Sequence, residues 1–332
     1  MKFKILINFV SLIALIAVNF VGGKSSILLA KTICPENGDP CYEEGDRGSS
    51  ISIQIIGPTV GNLLPTNNRP NLSWQPEAGA ESYFVSIANF SGIILELETG
   101  DTQIIYPQDK PPLEPNKDYT LTVETLIGNT AKSGEVNFRL LGEEEAEKVE
   151  AAAAEIRNQN NLTAEEKVVQ IAEMYEGRRL YSEAIALLNN SLNEGKISPE
   201  IYQTLGKVYR EAGLSFLAET PYQKGMELAI NLEDKNAIAE AQVGLARVNI
   251  SLENWQEAIS LLEKARANYR EINNRELAAA QLAQFLGEVL VEKGDRPQAI
   301  KWYRQAAEEY ENLRESERLN YVEEILERLN KK

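Results

Sequence analysis

Residues 202–222 read YQTLGKVYREAGLSFLAETPY. Leu205 stands beside Gly206, and Ala218 follows thirteen residues after Leu205, with Tyr222 four further on. The same phase returns three times. Ile171-Ala172, Leu245-Ala246 and Leu286-Gly287 repeat the large–small pair. Ala184, Ala258 and Ala299 repeat the alanine, and Leu188, Leu262 and Tyr303 repeat the large residue four places later. Residues four apart share one face of a helix. Each unit is therefore expected to be two helices that cross where small residues let them approach. A lone pair of this kind leaves an apolar face open, so the units must stack.

The run Tyr202-x-x-Leu205-Gly206-x-x-Tyr209 followed by Ala218-x-x-x-Tyr222 resembles the tetratricopeptide repeat. The resemblance extends over residues 163–332 and implies a superhelical array of four degenerate repeats plus a capping helix. Thr163-Ala164-Glu165-Glu166 is a helix-start signal. Gly213 and Gly294 suit the turns within hairpins. From Glu315 to Leu329, Leu319, Val322, Ile325, Leu326 and Leu329 fall on one face, as a cap over an open core requires. The key alanines are 34, then 40, then 41 residues apart. The additional residues fall in ELAINLEDKNAIAEA and NYREINNRELAAA, and are expected to lengthen helices without breaking the register. Asn249 is polar where the third repeat wants an apolar residue.

Such arrays hold other molecules and seldom do chemistry, so the resemblance implies a protein or peptide partner in a concave groove. The groove-facing positions lie on the first helix of each pair. They are Gln203, Lys207 and Arg210 in the second repeat, Val243 and Arg247 in the third, and Gln284 and Glu288 in the fourth. Lys207, Arg210 and Arg247 read as a basic spot for an acidic side chain or a C-terminal carboxylate. The plainer reading of the same charges is a solvated helix surface.

Upstream, over residues 50–141, the apolar period changes to two. SYFVSI (82–87), GIILELE (92–98), TQIIYP (102–107), DYTLTVETL (118–126) and EVNFRLL (135–141) read as strands, separated by turns in GNLLPTNNRP, PEAGAE and PQDKPPLEPNK. The segment before Pro58 is a weak first strand. Leu113-Glu114-Pro115-Asn116-Lys117-Asp118-Tyr119 resembles the tyrosine corner of fibronectin type III and other immunoglobulin-like domains. That resemblance implies an all-β sandwich with Trp74 in the core and the Tyr119 hydroxyl bonded to backbone just upstream. Trp74, Tyr83 and Tyr119 are thus structural. Tyr106, Phe90 and Phe84 remain as aromatics for a sugar-stacking platform, and a carbohydrate- or cell-wall-binding protein is the second functional reading. Between the two domains, residues 142–162 read as an acidic helical connector with solvated faces.

Met1-Lys2-Phe3-Lys4 followed by the uncharged run ILINFVSLIALIAVNFVGG (5–23) reads as an export signal within residues 1–30. An uncleaved segment would act as a membrane anchor. Residues 31–49 form a tether, in which Cys34 and Cys41 are placed to close a small disulfide loop in an oxidising compartment. The expected location is periplasmic or extracellular.

The 332 residues carry a net charge of −16, shared by both halves, which disfavours nucleic acid and anionic membrane surfaces as partners. Histidine is absent. Imidazole-based triads, general bases and zinc sites are therefore excluded. No catalytic constellation, cofactor motif or metal-ligand spacing appears in the sequence.

Overall fold

The computed structural model describes residues 32–33, 42–43 and 52–331. The chain divides into two units, Met1–Ser50 and Ile51–Lys332. In the first, β1 (Thr32–Ile33) pairs antiparallel with β2 (Tyr42–Glu43), Thr32 opposite Glu43 and Ile33 opposite Tyr42. The expected export signal, Cys34 and Cys41 lie outside the described residues. Among the described residues no helix is long and apolar enough to cross a membrane.

The second unit opens with eight strands: β3 (Ile55–Gly57), β4 (Gly61–Leu63), β5 (Asn71–Trp74), β6 (Tyr83–Asn89), β7 (Gly92–Thr99), β8 (Gln103–Ile105), β9 (Lys117–Ile127) and β10 (Thr130–Leu140). They form a five-stranded sheet in the order β4-β10-β9-β6-β7 and a three-stranded sheet in the order β3-β5-β8. Alternation along each strand sends one set of side chains inward. Leu72 and Trp74 from the smaller sheet and Val85, Ile87, Leu121 and Val123 from the larger one share a single core. Trp74 is buried and meets Tyr83 edge to face at 5.4 Å. The Tyr119 hydroxyl accepts from the Glu114 N–H at 2.7 Å and donates to the Glu114 carbonyl at 3.1 Å, the backbone bond the corner motif implies. Tyr106 is 1% exposed and donates to the Pro111 carbonyl, so it offers no stacking face.

One expectation fails in this region. Gly61–Leu63, read as part of a turn, is β4, paired in parallel with β10. Three residues containing a glycine are too short to show an alternating pattern, and their partner is distant in sequence.

Ten helices follow: α1 (Glu143–Arg157), α2 (Ala164–Gly177), α3 (Tyr181–Asn193), α4 (Pro199–Glu211), α5 (Ser215–Asn231), α6 (Lys235–Ser251), α7 (Trp255–Arg270), α8 (Glu276–Lys293), α9 (Arg296–Leu313) and α10 (Ser316–Lys331). The hairpins are α2/α3, α4/α5, α6/α7 and α8/α9, with α10 packed on α9. Thr163 starts α2 with the expected reciprocal cap to Glu166. Ala184, Ala218, Ala258 and Ala299 are fully buried, as are Leu188 and Leu262, while Tyr222 and Tyr303 are nearly so. The longer spacing is absorbed by longer helices: α3 and α4 have 13 residues each, whereas α5 and α6 have 17 each. Asn249 satisfies its amide on the Leu245 carbonyl one turn back, at 2.9 Å. The connector helix α1 is not solvated all round, because Val149 and Ala153 bury in the core that holds Val168 and Ile171.

The β region and the first hairpin are joined by β4 itself. Asn62 donates its N–H to the Arg179 carbonyl and its side-chain amide to the Arg178 carbonyl, both at 2.8 Å. Leu64 N–H donates to Glu183 Oε1 at 2.9 Å, and Leu64 packs in the helical core. Glu183 sits in the first turn of α3, where the helix dipole favours an anion. Burial nevertheless pushes its carboxyl above the usual carboxylate range, opposed by the hydrogen bond it accepts from the Leu64 N–H. The folded state thus holds this proton more tightly than the unfolded chain does. That contribution to stability is present on the acid side and is lost as pH rises through the folded pKa. Glu183→Gln keeps an acceptor for Leu64 and removes the buried charge. It is expected to melt higher than wild type near neutrality and to match it near the pKa of a free glutamate, about pH 4. Glu183→Ala orphans the Leu64 N–H and is expected to lose about 1–3 kcal/mol. Thermal melts of both variants across that pH range check the pair.

A concave groove as candidate binding site

The first helices of neighbouring hairpins lie side by side, α4 touching both α2 and α6. Their shared face holds a cleft of about 530 Å³, and a second of about 410 Å³ continues onto α8 and α10. Val243 and Arg247 line both. Gln203, Lys207 and Arg210 line the first, and Gln284 and Glu288 the second. All seven positions named from the sequence therefore fall on one surface.

Their chemical states differ. Gln203 is buried and donates its amide to the Ala237 carbonyl at 2.8 Å, which ties α4 to α6. Lys207 donates to Glu176 Oε2 at 2.8 Å. Burial works to lower the Lys207 pKa, but the Glu176 hydrogen bond and the charges of Glu176, Glu173 and Glu211 leave it raised. Arg210 donates to Glu211 at 2.6 Å, while its Nε is buried and has no partner among the described residues. Gln284 donates to Glu288 at 2.8 Å and accepts from the Tyr310 hydroxyl at 2.8 Å.

Arg247 is the exception. Its guanidinium lies 4.5 Å from the centre of the Phe285 ring, a cation–π distance. Among the described residues it has neither an ion pair nor a side-chain hydrogen bond. Burial, and then the like charge of Arg210, lower its pKa. The charges of Glu211 and Glu288 offset part of that repulsion, and the exposed edge of the guanidinium pair is open to a further anion.

The cleft is not uniformly basic, which departs from the basic spot expected from the sequence. Glu200 and Glu240 line it together with Glu173 and Glu211. The stripe Glu200-Gln203-Lys207 on α4 repeats as Glu240-Val243-Arg247 on α6 and as Gln281-Gln284-Glu288 on α8. Seven residues of helix separate the ends of each stripe by about 10 Å. The groove thus has an acidic edge along Glu200 and Glu240, and cations further along at Lys207, Arg210 and Arg247. Sequence reading missed the acidic edge, although it lies one turn earlier on the same stripe. It also missed Phe285 and Arg318, the latter reaching the second cleft from the capping helix. With its amide oxygen turned toward Arg318, Gln281 accepts from both terminal nitrogens at 3.1 and 3.2 Å.

The tetratricopeptide repeat family model matches residues 198–271 and, overlapping them, 237–312. Among solved structures, the MamA protein is 21% identical over 51% of this chain and 86% of its own, with a TM-score of 0.39. MamA from Desulfovibrio magneticus RS-1 is 17% identical over 49% of this chain and 86% of its own, with a TM-score of 0.39. YrrB, a TPR protein with an unusual peptide-binding site, is 19% identical over 50% of this chain and 80% of its own, at 0.37. None of the curated proteins matches the chain. Residues 198–312 match the tetratricopeptide repeat model, and the hairpins α2/α3 to α8/α9 form a tetratricopeptide-like helical array.

Proposed function

We propose that this chain is an exported, non-catalytic scaffold of the bacterial cell envelope whose helical array captures a segment of a partner protein. The observation that carries the reading is the groove around Arg247. A cation with no ion pair or side-chain hydrogen bond among the described residues sits on an aromatic ring beside a second guanidinium, opposite an acidic edge. This pattern suits an extended segment with a carboxylate at Arg247 and Arg210 and a cationic or N–H donor group at Glu200 and Glu240. The test is crosslinked capture from envelope extracts by the wild-type chain and by an Arg247→Glu variant. Recovery of one defined protein by the first and not by the second supports the reading.

The β region is read as an immunoglobulin-like sandwich of the fibronectin type III kind. The Tyr119 corner, the buried Trp74 and the two sheets about one core support it. It serves as a rigid extension of the array through the bonds of β4. Export rests on the charge and hydropathy of residues 1–23, and the Cys34–Cys41 bond on the antiparallel pairing of Ile33 with Tyr42, the residues next to the two cysteines. Intact-mass measurement on protein purified from the envelope is expected to show a mass lacking the residues before about 24–31, as signal-peptide cleavage would leave. It is also expected to show no alkylatable thiol. A mass that includes Met1 argues for a retained anchor, and two alkylated cysteines remove the bond.

A further inference from the structure

The outer face of the five-stranded sheet carries a separate cleft of about 520 Å³, within the roughly 300–1,000 Å³ range of small-ligand sites. Its floor contains the cross-strand rungs Thr120↔Asn137 and Asp118↔Arg139 of β9 and β10. Asn62 on β4 and Arg179 in the α2–α3 turn line one side, and Phe90 at the β6–β7 turn lines the other. Phe90 is 89% exposed. A ring left in water at a hairpin tip does no packing for the fold, and its transfer out of water is available to a ligand.

The polar groups around it are set in fixed positions. Thr120 donates its hydroxyl to Asn137 Oδ1 at 2.7 Å, which orients the Asn137 amide and leaves its NH₂ as a donor. Arg139 is engaged by Glu145 at 3.2 Å. The side chains of Asp118 and Arg179 make no ion pair or hydrogen bond among the described residues. Arg179 is held at the rim because its carbonyl accepts from Asn62 and its backbone takes a left-handed turn, φ 58°. Gly61 packs so closely on that carbonyl that a side chain there would overlap it.

We propose that this cleft binds a pyranose oligosaccharide, with Phe90 under the apolar face of one sugar ring and Asn137, Asp118 and Arg179 meeting its hydroxyls. A sugar presents a C–H face and hydroxyls that each donate and accept. The cleft presents one aromatic face, two donors and a carboxylate acceptor at its floor and rim. An added peptide strand does not fit, because β10, β9 and β6 are paired on both sides and offer a face, not an edge. The lining also lacks apolar pockets for peptide side chains, with only Val60, Ala88 and Phe90 available on its surface. The net charge of −16 disfavours nucleic acid.

Calorimetric titration of the full chain with short cello-, chito- and galacturono-oligosaccharides tests this, the last series separating acidic from neutral sugars. Binding of at least one series is expected. Phe90→Ala should weaken it about tenfold or more, and Asn137→Ala should weaken it in the same direction. Phe84→Ala, on the same sheet face but outside the cleft, and Arg247→Glu, in the helical groove, should leave it unchanged. Thermal melts confirm that Phe90→Ala folds. The proposal is overturned if no series binds, if Phe90→Ala binds as well as wild type, or if Phe90→Ala abolishes capture of a protein partner.

Discussion

Replacing Gly244 by leucine is expected to destabilise the array by about 1–3 kcal/mol or more, the cost of forcing volume into a packed core. Tyr222 is the reason. Its ring rises from α5 and is nearly buried between α4 and α6. A Cβ on Gly206 would meet Tyr222 Cδ2 at 2.8 Å, and a Cβ on Gly244 would overlap the opposite edge of the same ring. The ring cannot yield to one side without striking the other. Gly206→Leu is therefore expected to cost a comparable amount. The double variant Tyr222→Ala, Gly244→Leu should lose less than the sum of its single changes, because the alanine removes the clash. Urea unfolding of the four proteins measures this. A Gly244→Leu protein with the wild-type midpoint would mean that Tyr222 does not sit between the two helices.

The Gly206 contact was legible because the signal is local: a small residue beside Leu205 and an aromatic four residues after Ala218. Gly244 was not. It precedes the Leu245-Ala246 pair that carries the repeat phase, and its partner belongs to the previous hairpin. A contact between hairpins leaves no fixed spacing in the sequence once the period drifts from 34 to 40 residues. The same physical limit hid the seam at β4. The sequence shows Glu183 as one more acidic residue near a helix start, and only the fold brings Leu64 to it across 119 residues. Periodicity reports what an element does with its neighbours along the chain, while pairings across long separations depend on geometry that no stripe records.

Reversing charge at the groove is expected to have the largest effect on binding. Arg247→Glu combined with Arg210→Gln should reduce capture of the native partner by tenfold or more. Each charge-assisted contact contributes about 1.5–3 kcal/mol when partly desolvated, about tenfold to a hundredfold in affinity. Arg247 is the position of choice because it has no ion pair or side-chain hydrogen bond among the described residues to lose, only its stacking on Phe285. Its exchange relieves the repulsion from Arg210 but gives up the Phe285 contact and sets a carboxylate near Glu211 and Glu288. Arg247→Gln, which removes the charge without reversing it, is therefore the control whose melting temperature separates lost stability from lost capture. Lys207→Glu is a poorer probe, although it lies in the same cleft. It breaks the pair with Glu176 and sets a third carboxylate among Glu173 and Glu176, so lost capture would be mixed with lost stability. The acidic edge supplies the complement: Glu200→Gln with Glu240→Gln should weaken capture less, since a neutral amide still accepts a hydrogen bond there. Undiminished recovery of the same partner by the Arg247→Glu, Arg210→Gln protein would remove the anion from the groove. The partner would then have to be sought on the convex side of the helices or on the outer sheet face.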